Sequence, residues 1–321
     1  MDTTIKIDKL KQLAQFLSKW NIYQKVRFPI VTHGILILAF SFSAVSYALL
    51  SNGENEFISI SVFLPGFVIV LTTFLLLRIA DEFKDSDDDK KYRPELPVPS
   101  GVISLSELKF LAIGIILFQI VIQLLFIPQM FWLYIVVMLY LALMTKEFFV
   151  EQWLRKNQFW YVTSHMLIIP LVDLYASALY WNQTGISAPT TLIFFFIVSF
   201  FNGIVLEIGR KIKAPEQERE GVQTYSFLLG ADRATQLWLF TLMITCVCAV
   251  LAIYYSTVQI SSIVILLLFW FLISIVGLRF LKRKTIAGSK TIELASGVWA
   301  LSMYILLGGF PMLYNFINKL I

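Results

Sequence analysis

The sequence predicts an all-α integral membrane protein with nine transmembrane helices, and three observations predict it. Of 321 residues, 58% are hydrophobic and only 15% charged, with mean hydropathy +0.76; soluble domains run near 45–50% apolar and about 25% charged. The apolar residues fall in runs of about 20, which match the roughly 30 Å hydrocarbon core of a bilayer. The basic residues, finally, sort onto alternate connections between those runs. A soluble globule is excluded, and so is disorder, because aromatic residues alone make up 15% of the chain.

The nine spans cover about 29–50, 57–80, 108–127, 130–146, 160–181, 188–206, 236–255, 258–281 and 292–317, with boundaries loose by a few residues. Helices suit these lengths because each satisfies its own backbone hydrogen bonds where water is absent. No run alternates as a barrel strand would. Residues 1–27 are polar and basic and lack the apolar core and cleavage site of a secretory signal.

Lys6, Lys9, Lys11, Lys19, Lys25 and Arg27 precede span 1. The loops after spans 2, 4, 6 and 8 hold nearly all the other cations, among them Lys90, Lys91, Arg93, Arg155, Lys156, Arg210, Lys211, Lys213, Arg233, Lys282, Arg283 and Lys284. The opposite loops, SNGEN, the IPQ turn, NQTGIS and the STV turn, carry no Lys or Arg; only Lys319 falls on their side. The positive-inside rule then places the N-terminus in the cytoplasm and the C-terminus across the membrane. Topology thus accounts for the net charge of +5 without nucleic acid. Cys246 and Cys248, two residues apart on a helix, diverge and read as packing rather than a disulfide or metal pair.

Two connections are long and charged, 81–107 and 207–235, both on the expected cytoplasmic side; function concentrates in such loops. In LLLRIADEFKDSDDDKKYRPELPVPSG, Asp81, Asp85 and Asp89 recur every four residues, so a helix continuing past the membrane stands all three on one face. Like charges at that spacing destabilise a helix. A hard cation relieves them: Mg²⁺ takes carboxylate oxygens, keeps waters and bridges to phosphates. Lys90, Lys91 and Arg93 then supply direct phosphate contacts. The bland alternative is a solvated acidic helix end. In the second loop, FFNGIVLEIGRKIKAPEQEREGVQTYSFLLG, Glu207 ends span 6, while Glu216 and Glu220 give an E-x-x-x-E spacing interrupted by Glu218; Arg210, Lys211 and Lys213 stand among the acids. Here the alternative is that Glu216 to Glu220 merely face water.

Inside the membrane lie His165, Asp173 and Asn202, and Lys146 and Glu147 end span 4. A charge at the bilayer centre costs about 2.5–3.5 kcal/mol on insertion scales, so Asp173 faces a cavity or a partner. It accepts a proton or balances positive charge, or else it forms a structural interhelical hydrogen bond. Tyr140, Tyr175 and Trp181 are candidate rings for cation–π stabilisation. No dinucleotide fingerprint, Cys/His metal cluster or nucleophile–His pair occurs.

The stretch from Asp81 to Gly101 resembles the first signature of the UbiA superfamily of intramembrane prenyltransferases. Asp81, Asp85 and Asp89, then Arg93, then Pro97-Val98-Pro99-Ser100-Gly101 occupy its places. Asp81 stands where Asn is usual, and Leu96 where an Arg often precedes the proline turn. The KVRFP entry into span 1 (Lys25, Arg27, Pro29) fits as well. Gly221, Thr224 and Gly230 match the tail of the second signature, whose aspartates are absent here. The resemblance implies one UbiA-like membrane domain over 1–321, a bundle with a central cavity capped by two charged loops. It also implies Mg²⁺ and a prenyl diphosphate (geranylgeranyl, farnesyl or geranyl), with membrane lipid around the bundle and no nucleic acid or obligate protein partner.

Asp81, Asp85, Asp89, Glu207 and Asp173 are the expected catalytic residues. Metal ligands are expected among Asp81, Asp85, Asp89, Glu207 and Glu216, and diphosphate-binding cations among Arg27, Lys90, Arg93, Lys146, Arg210 and Lys211. The segments RIADEFKDSDDDKKYRPELPVPSG, LALMTKEFFVEQWL, SHMLIIPLVDLYA and FFNGIVLEIGRKIKAPEQEREGVQTYS resemble the divergent branch that contains diterpene cyclases, so cyclisation is preferred. Transfer of the prenyl group to an aromatic or lipid acceptor is the alternative. A non-enzymatic transporter or lipid-binding protein is a remote third reading, since transporters keep charge at mid-membrane.

Overall fold

A computed structural model describes residues 2–219, 221–256 and 261–320, with side chains described within 14–318. Glu220, most of the STV turn, the expected start of the eighth span and the side chain of Lys319 lie outside the described residues.

The chain runs α1 (Asp2–Arg27), α2 (Ile30–Ser51), α3 (Ile60–Lys84), α4 (Ser86–Tyr92), α5 (Leu105–Phe126), α6 (Phe131–Thr145), α7 (Glu151–Lys156), α8 (Gln158–Met166), α9 (Ile168–Trp181), α10 (Leu192–Arg210), α11 (Tyr225–Leu229), α12 (Ala231–Tyr255), α13 (Ser261–Lys282), α14 (Ile286–Tyr304) and α15 (Phe310–Leu320). Among the described residues nine helical stretches are long and apolar enough to cross a membrane. They fall on the nine expected runs; α8 with α9, and α14 with α15, each make one crossing. Their ends shift by up to about six residues from the apolar runs, because a helix continues into charged sequence once its first turns exist. The structure adds α1, which the sequence marked only as a basic segment.

Local signals explain the borders. Ser104 and Glu107 form a reciprocal capping box at the start of α5, which satisfies donors the first turn leaves open. Thr285 caps α14 through the Gly288 amide, and Thr224 caps α11 through the Phe227 amide at 3.0 Å.

The bundle is polar inside and apolar outside relative to a soluble protein. α2, α9, α10 and α14 form its centre, with α2 packed on α9 and α10 between α12 and α14. Serines 41, 43 and 46 of α2, Thr73, Asp173, Ser199 and Asn202 are fully enclosed. Leu117, Leu125, Leu268 and Phe271 on the peripheral α5 and α13 are more than half exposed, as a lipid-facing surface requires.

Candidate active site

The ends of α3 and α10 meet at one charged mouth of the bundle. Helical bonding carries on past α3: the Asp85 amide donates to the Asp81 carbonyl at 2.9 Å, the Asp89 amide to Asp85 at 2.8 Å, and the Arg93 amide to Asp89 at 2.9 Å. The expected stack of three aspartates therefore forms, but each has its own surroundings.

Asp89 is sealed. It is 2% exposed, with Arg93 Nη2 at 2.9 Å and Arg27 Nη2 at 3.5 Å. Burial raises its carboxyl above the ordinary range in spite of these two guanidiniums. Arg27 also donates through Nε to the buried Glu82, which takes Arg78 Nη2 at 3.1 Å as well. The end of α1 is thereby clamped to α3 and α4, and Arg27 is engaged in that clamp.

Asp81 and Asp85 are open. Among the described residues Asp81 pairs with Arg78 alone, at 3.4 Å, and its side chain is 43% exposed. Asp85 has no hydrogen bond or ion pair from its carboxylate among the described residues. Its charge is felt by Asp81, Glu82, Tyr161 and Arg210, which puts it at the centre of the mouth. Across from them, Glu207 receives Arg210 Nε at 2.7 Å and Lys211 Nζ at 2.6 Å. Arg210 and Glu207 lie within electrostatic reach of Asp81.

The second loop folds back onto the first. Arg219 Nη1 bridges to Glu95 at 3.1 Å. Gly221, with φ +81°, lies so near Tyr92 that a Cβ would stand 2.0 Å from its ring; only glycine combines that conformation with that approach. Arg93, Lys213, Glu216, Arg219 and Thr224 line a cleft of about 500 Å³ between the loops. Glu216 thus lies in the cleft that Arg93, the partner of Asp89, also lines. Glu218 accepts from the Thr224 hydroxyl at 2.7 Å. Lys90 and Lys146 are exposed and form no ion pair among the described residues.

Sequence reasoning missed a third group beside the mouth. Lys84 Nζ contacts Glu147 Oε1 at 2.8 Å and His165 Nε2 at 3.3 Å, and it donates to the Tyr161 hydroxyl. His165 Nδ1 donates to the Tyr161 carbonyl at 2.8 Å, which leaves Nε2 to face Lys84 and Glu147. Burial alone would raise the Glu147 carboxyl, but the hydrogen bonds from His165 and Lys84 outweigh it and hold it below the usual glutamate range. The backbone here is strained: Glu147, Phe148 and Phe149 all have positive φ, 48°, 53° and 60°. Such a conformation costs on the order of 1–3 kcal/mol per residue and gathers at functional sites. Glu147 and His165 were visible only as isolated polar residues near helix ends; the sole available signal was that such groups seek partners.

Of the aromatic candidates, Tyr140 donates to the Ser164 carbonyl at 2.6 Å, Tyr175 to Gln123 at 2.7 Å, and Trp181 to Ser177 at 3.3 Å. These polar groups are engaged in helix packing. Asp173 is enclosed between helices, eight residues along its crossing from His165.

Among the described residues no three His, Cys, Asp or Glu side chains could enclose a metal ion by themselves. Mg²⁺ does not need such a cage: it is commonly held by one or two carboxylates, waters and substrate phosphates. The free carboxylate of Asp85, one turn from the loosely held Asp81, fits that requirement. Asp89 and Glu207 are each paired with cations instead, and Glu216 is an exposed residue of the neighbouring cleft.

The model of the UbiA prenyltransferase family matches residues 35–312. No curated protein matches the chain. A solved structure of a digeranylgeranylglyceryl phosphate synthase shares the fold, with a TM-score of 0.56 over 87% of this chain and 98% of that one, at 17% identity.

Proposed function

Since this chain belongs to the UbiA prenyltransferase family, whose members use prenyl diphosphates in membranes, we propose that it ionises a prenyl diphosphate at the mouth between α3 and α10 and cyclises the resulting cation. The observation that carries the reading is the pairing at that mouth: open carboxylates at Asp81 and Asp85 opposite the cations Arg210 and Lys211, at one end of the membrane bundle.

Asp81 and Asp85 would hold Mg²⁺, which when bound supplies positive charge to a departing diphosphate. Glu207 holds Arg210 and Lys211 in place. Each keeps donors free beyond those it gives Glu207, since a guanidinium carries five and an ammonium three. Those donors face the position where negative charge develops as the C1–O bond breaks and the diphosphate leaves with the electron pair. A double bond of the tail then attacks the allylic cation and forms a ring C–C bond. Arg93, Lys213 and Arg219 offer further anion contacts in the adjoining cleft. Both loops face the cytoplasm in this reading, as the charge asymmetry requires.

Cyclisation is preferred because the second motif has exchanged its aspartates for a Glu207–Arg210–Lys211 group. Transfer to an acceptor is the second reading, supported by the fold shared with a digeranylgeranylglyceryl phosphate synthase. Incubation of purified protein with Mg²⁺ and geranylgeranyl, farnesyl or geranyl diphosphate alone separates the two. The expected result is a cyclic hydrocarbon or alcohol that disappears in Asp85→Ala. Turnover only after a lipid or aromatic acceptor is added would replace cyclisation by transfer.

A further inference from the structure

Below the charged mouth lies a second polar group that the ionisation step does not use. Asp173 of α9 is fully buried, and among the described residues neither carboxylate oxygen has a hydrogen bond of normal geometry. Asn202 of α10 is equally buried, and among the described residues neither its amide oxygen nor its nitrogen has a hydrogen bond of normal geometry. Ser199 borders Asp173, and its hydroxyl also pairs with the Tyr304 hydroxyl at 2.9 Å; with Tyr304 as donor, the Ser199 proton is left for Asp173. Tyr304, at the end of α14, lies against both Asp173 and Asn202. Three helices therefore converge on one enclosed acid and one enclosed amide with open valences.

The surroundings are aromatic. The Tyr304 ring stands 5.1 Å from Phe40 and 6.2 Å from Phe195, and Phe40 meets Phe74 at 5.5 Å. Directly after Tyr304 the backbone widens into a π-helical turn, Ile305–Gly309, a distortion that gathers at functional sites. It is held by close packing on α2, for a Cβ on Gly308 would stand 2.2 Å from the Ser43 carbonyl oxygen. A buried carboxylate with so few polar neighbours is costly on its own and complementary to a positive charge, and the aromatic cluster that Tyr304 joins offers π faces to the same charge.

Its depth fits the tail rather than the head of a prenyl diphosphate. Helices rise 1.5 Å per residue, so Asn202 lies about 7.5 Å and Ser199 about 12 Å below Glu207 along α10. On the neighbouring crossing Asp173 lies about 12 Å beyond His165. A diphosphate at the mouth leaves C1 near the rim and brings the internal double bonds of the chain to this level.

We propose that Asp173 is the proton acceptor that ends the reaction, with Asn202 and Tyr304 orienting the cation before it. The C–H bond beside the cationic carbon breaks, its electron pair becomes the new alkene, and the proton passes to the carboxylate. Water takes that proton as the product leaves. This proposal rests on the prenyl-cation reading above.

The test is Asp173→Asn in the full chain, with released diphosphate and extracted products measured in parallel, and with the melting temperature of detergent-purified protein as a readout independent of substrate. General-base loss predicts a ratio of diphosphate released to olefin formed that rises by roughly 100-fold, with water-captured alcohols replacing the olefin. The melting temperature should hold or rise, because the substitution removes an unpaired acid. Tyr304→Phe should shift the products in the same direction by less. Unchanged products, or failure to fold or a fall of more than about 4 °C, overturn the proposal and leave the prenyl-cation reading standing. No diphosphate release by the wild-type protein overturns that reading, and the proposal with it.

Discussion

The ends of α3 and α10 face the same mouth with opposite balances of charge. α3 brings Asp81 and Asp85 with one ion pair between them among the described residues, Arg78 to Asp81 at 3.4 Å, whereas α10 brings one acid, Glu207, already matched by Arg210 and Lys211. A diphosphate needs positive charge on both sides. In the proposed reaction a divalent cation held by Asp81 and Asp85 would supply it on the α3 side, and Arg210 and Lys211 on the α10 side. The difference teaches that two loops at corresponding places need not use corresponding chemistry, because a guanidinium and an ammonium stabilise an anion without a metal.

The largest effect should follow from breaking the α3 side. Asp85→Ala is expected to lower diphosphate release by about 10³-fold or more, on the scale of losing a main electrostatic contributor. Asp81→Asn, milder, should appear chiefly as a raised Mg²⁺ requirement in a metal titration of the rate. Arg210→Gln breaks the other side, with an expected loss of roughly 10²-fold that added Mg²⁺ does not repair. Full rescue of Arg210→Gln by high Mg²⁺ would mean that the two sides are chemically alike, and the comparison would fail.

Asp89 sharpens the contrast within one motif. It is buried and bound by Arg93 at 2.9 Å and Arg27 at 3.5 Å, so Asp89→Ala removes one of two acids from Arg27, which keeps Glu82, and should cost about 1–2 kcal/mol of stability, the half-exposed Arg93 contributing little. Thermal unfolding measures this. The free Asp85 should show no comparable loss. The smallest effect concerns pH. Glu147 has a lowered folded value, so its contribution to stability is complete above the ordinary glutamate range and disappears as the pH falls through that folded value. Melting curves taken down an acid series should therefore fall less steeply for Glu147→Gln than for wild type.

The nine crossings and the two charged connections were legible because hydrophobic run length and charge sorting are local properties, fixed by bilayer thickness and the positive-inside bias. The aspartate spacing was legible too, since a four-residue step on a helix needs no knowledge of other elements. The fates of those aspartates were not. Asp89 is closed by Arg27, 62 positions away, and Lys84 meets His165, 81 positions away. Three successive left-handed residues at Glu147–Phe149 contradict every local preference and persist only where surrounding contacts impose them.

By itself the sequence determined a nine-crossing membrane bundle with charge gathered at one face, through periodicity and hydropathy that each segment expresses alone. Only the tertiary structure decided which acids are free, which are neutralised, and that Asp173, Asn202, Ser199 and Tyr304 converge below the mouth. The physical reason is that a polar group's partner inside a membrane is set by which helices touch, and that is a property of the packed bundle.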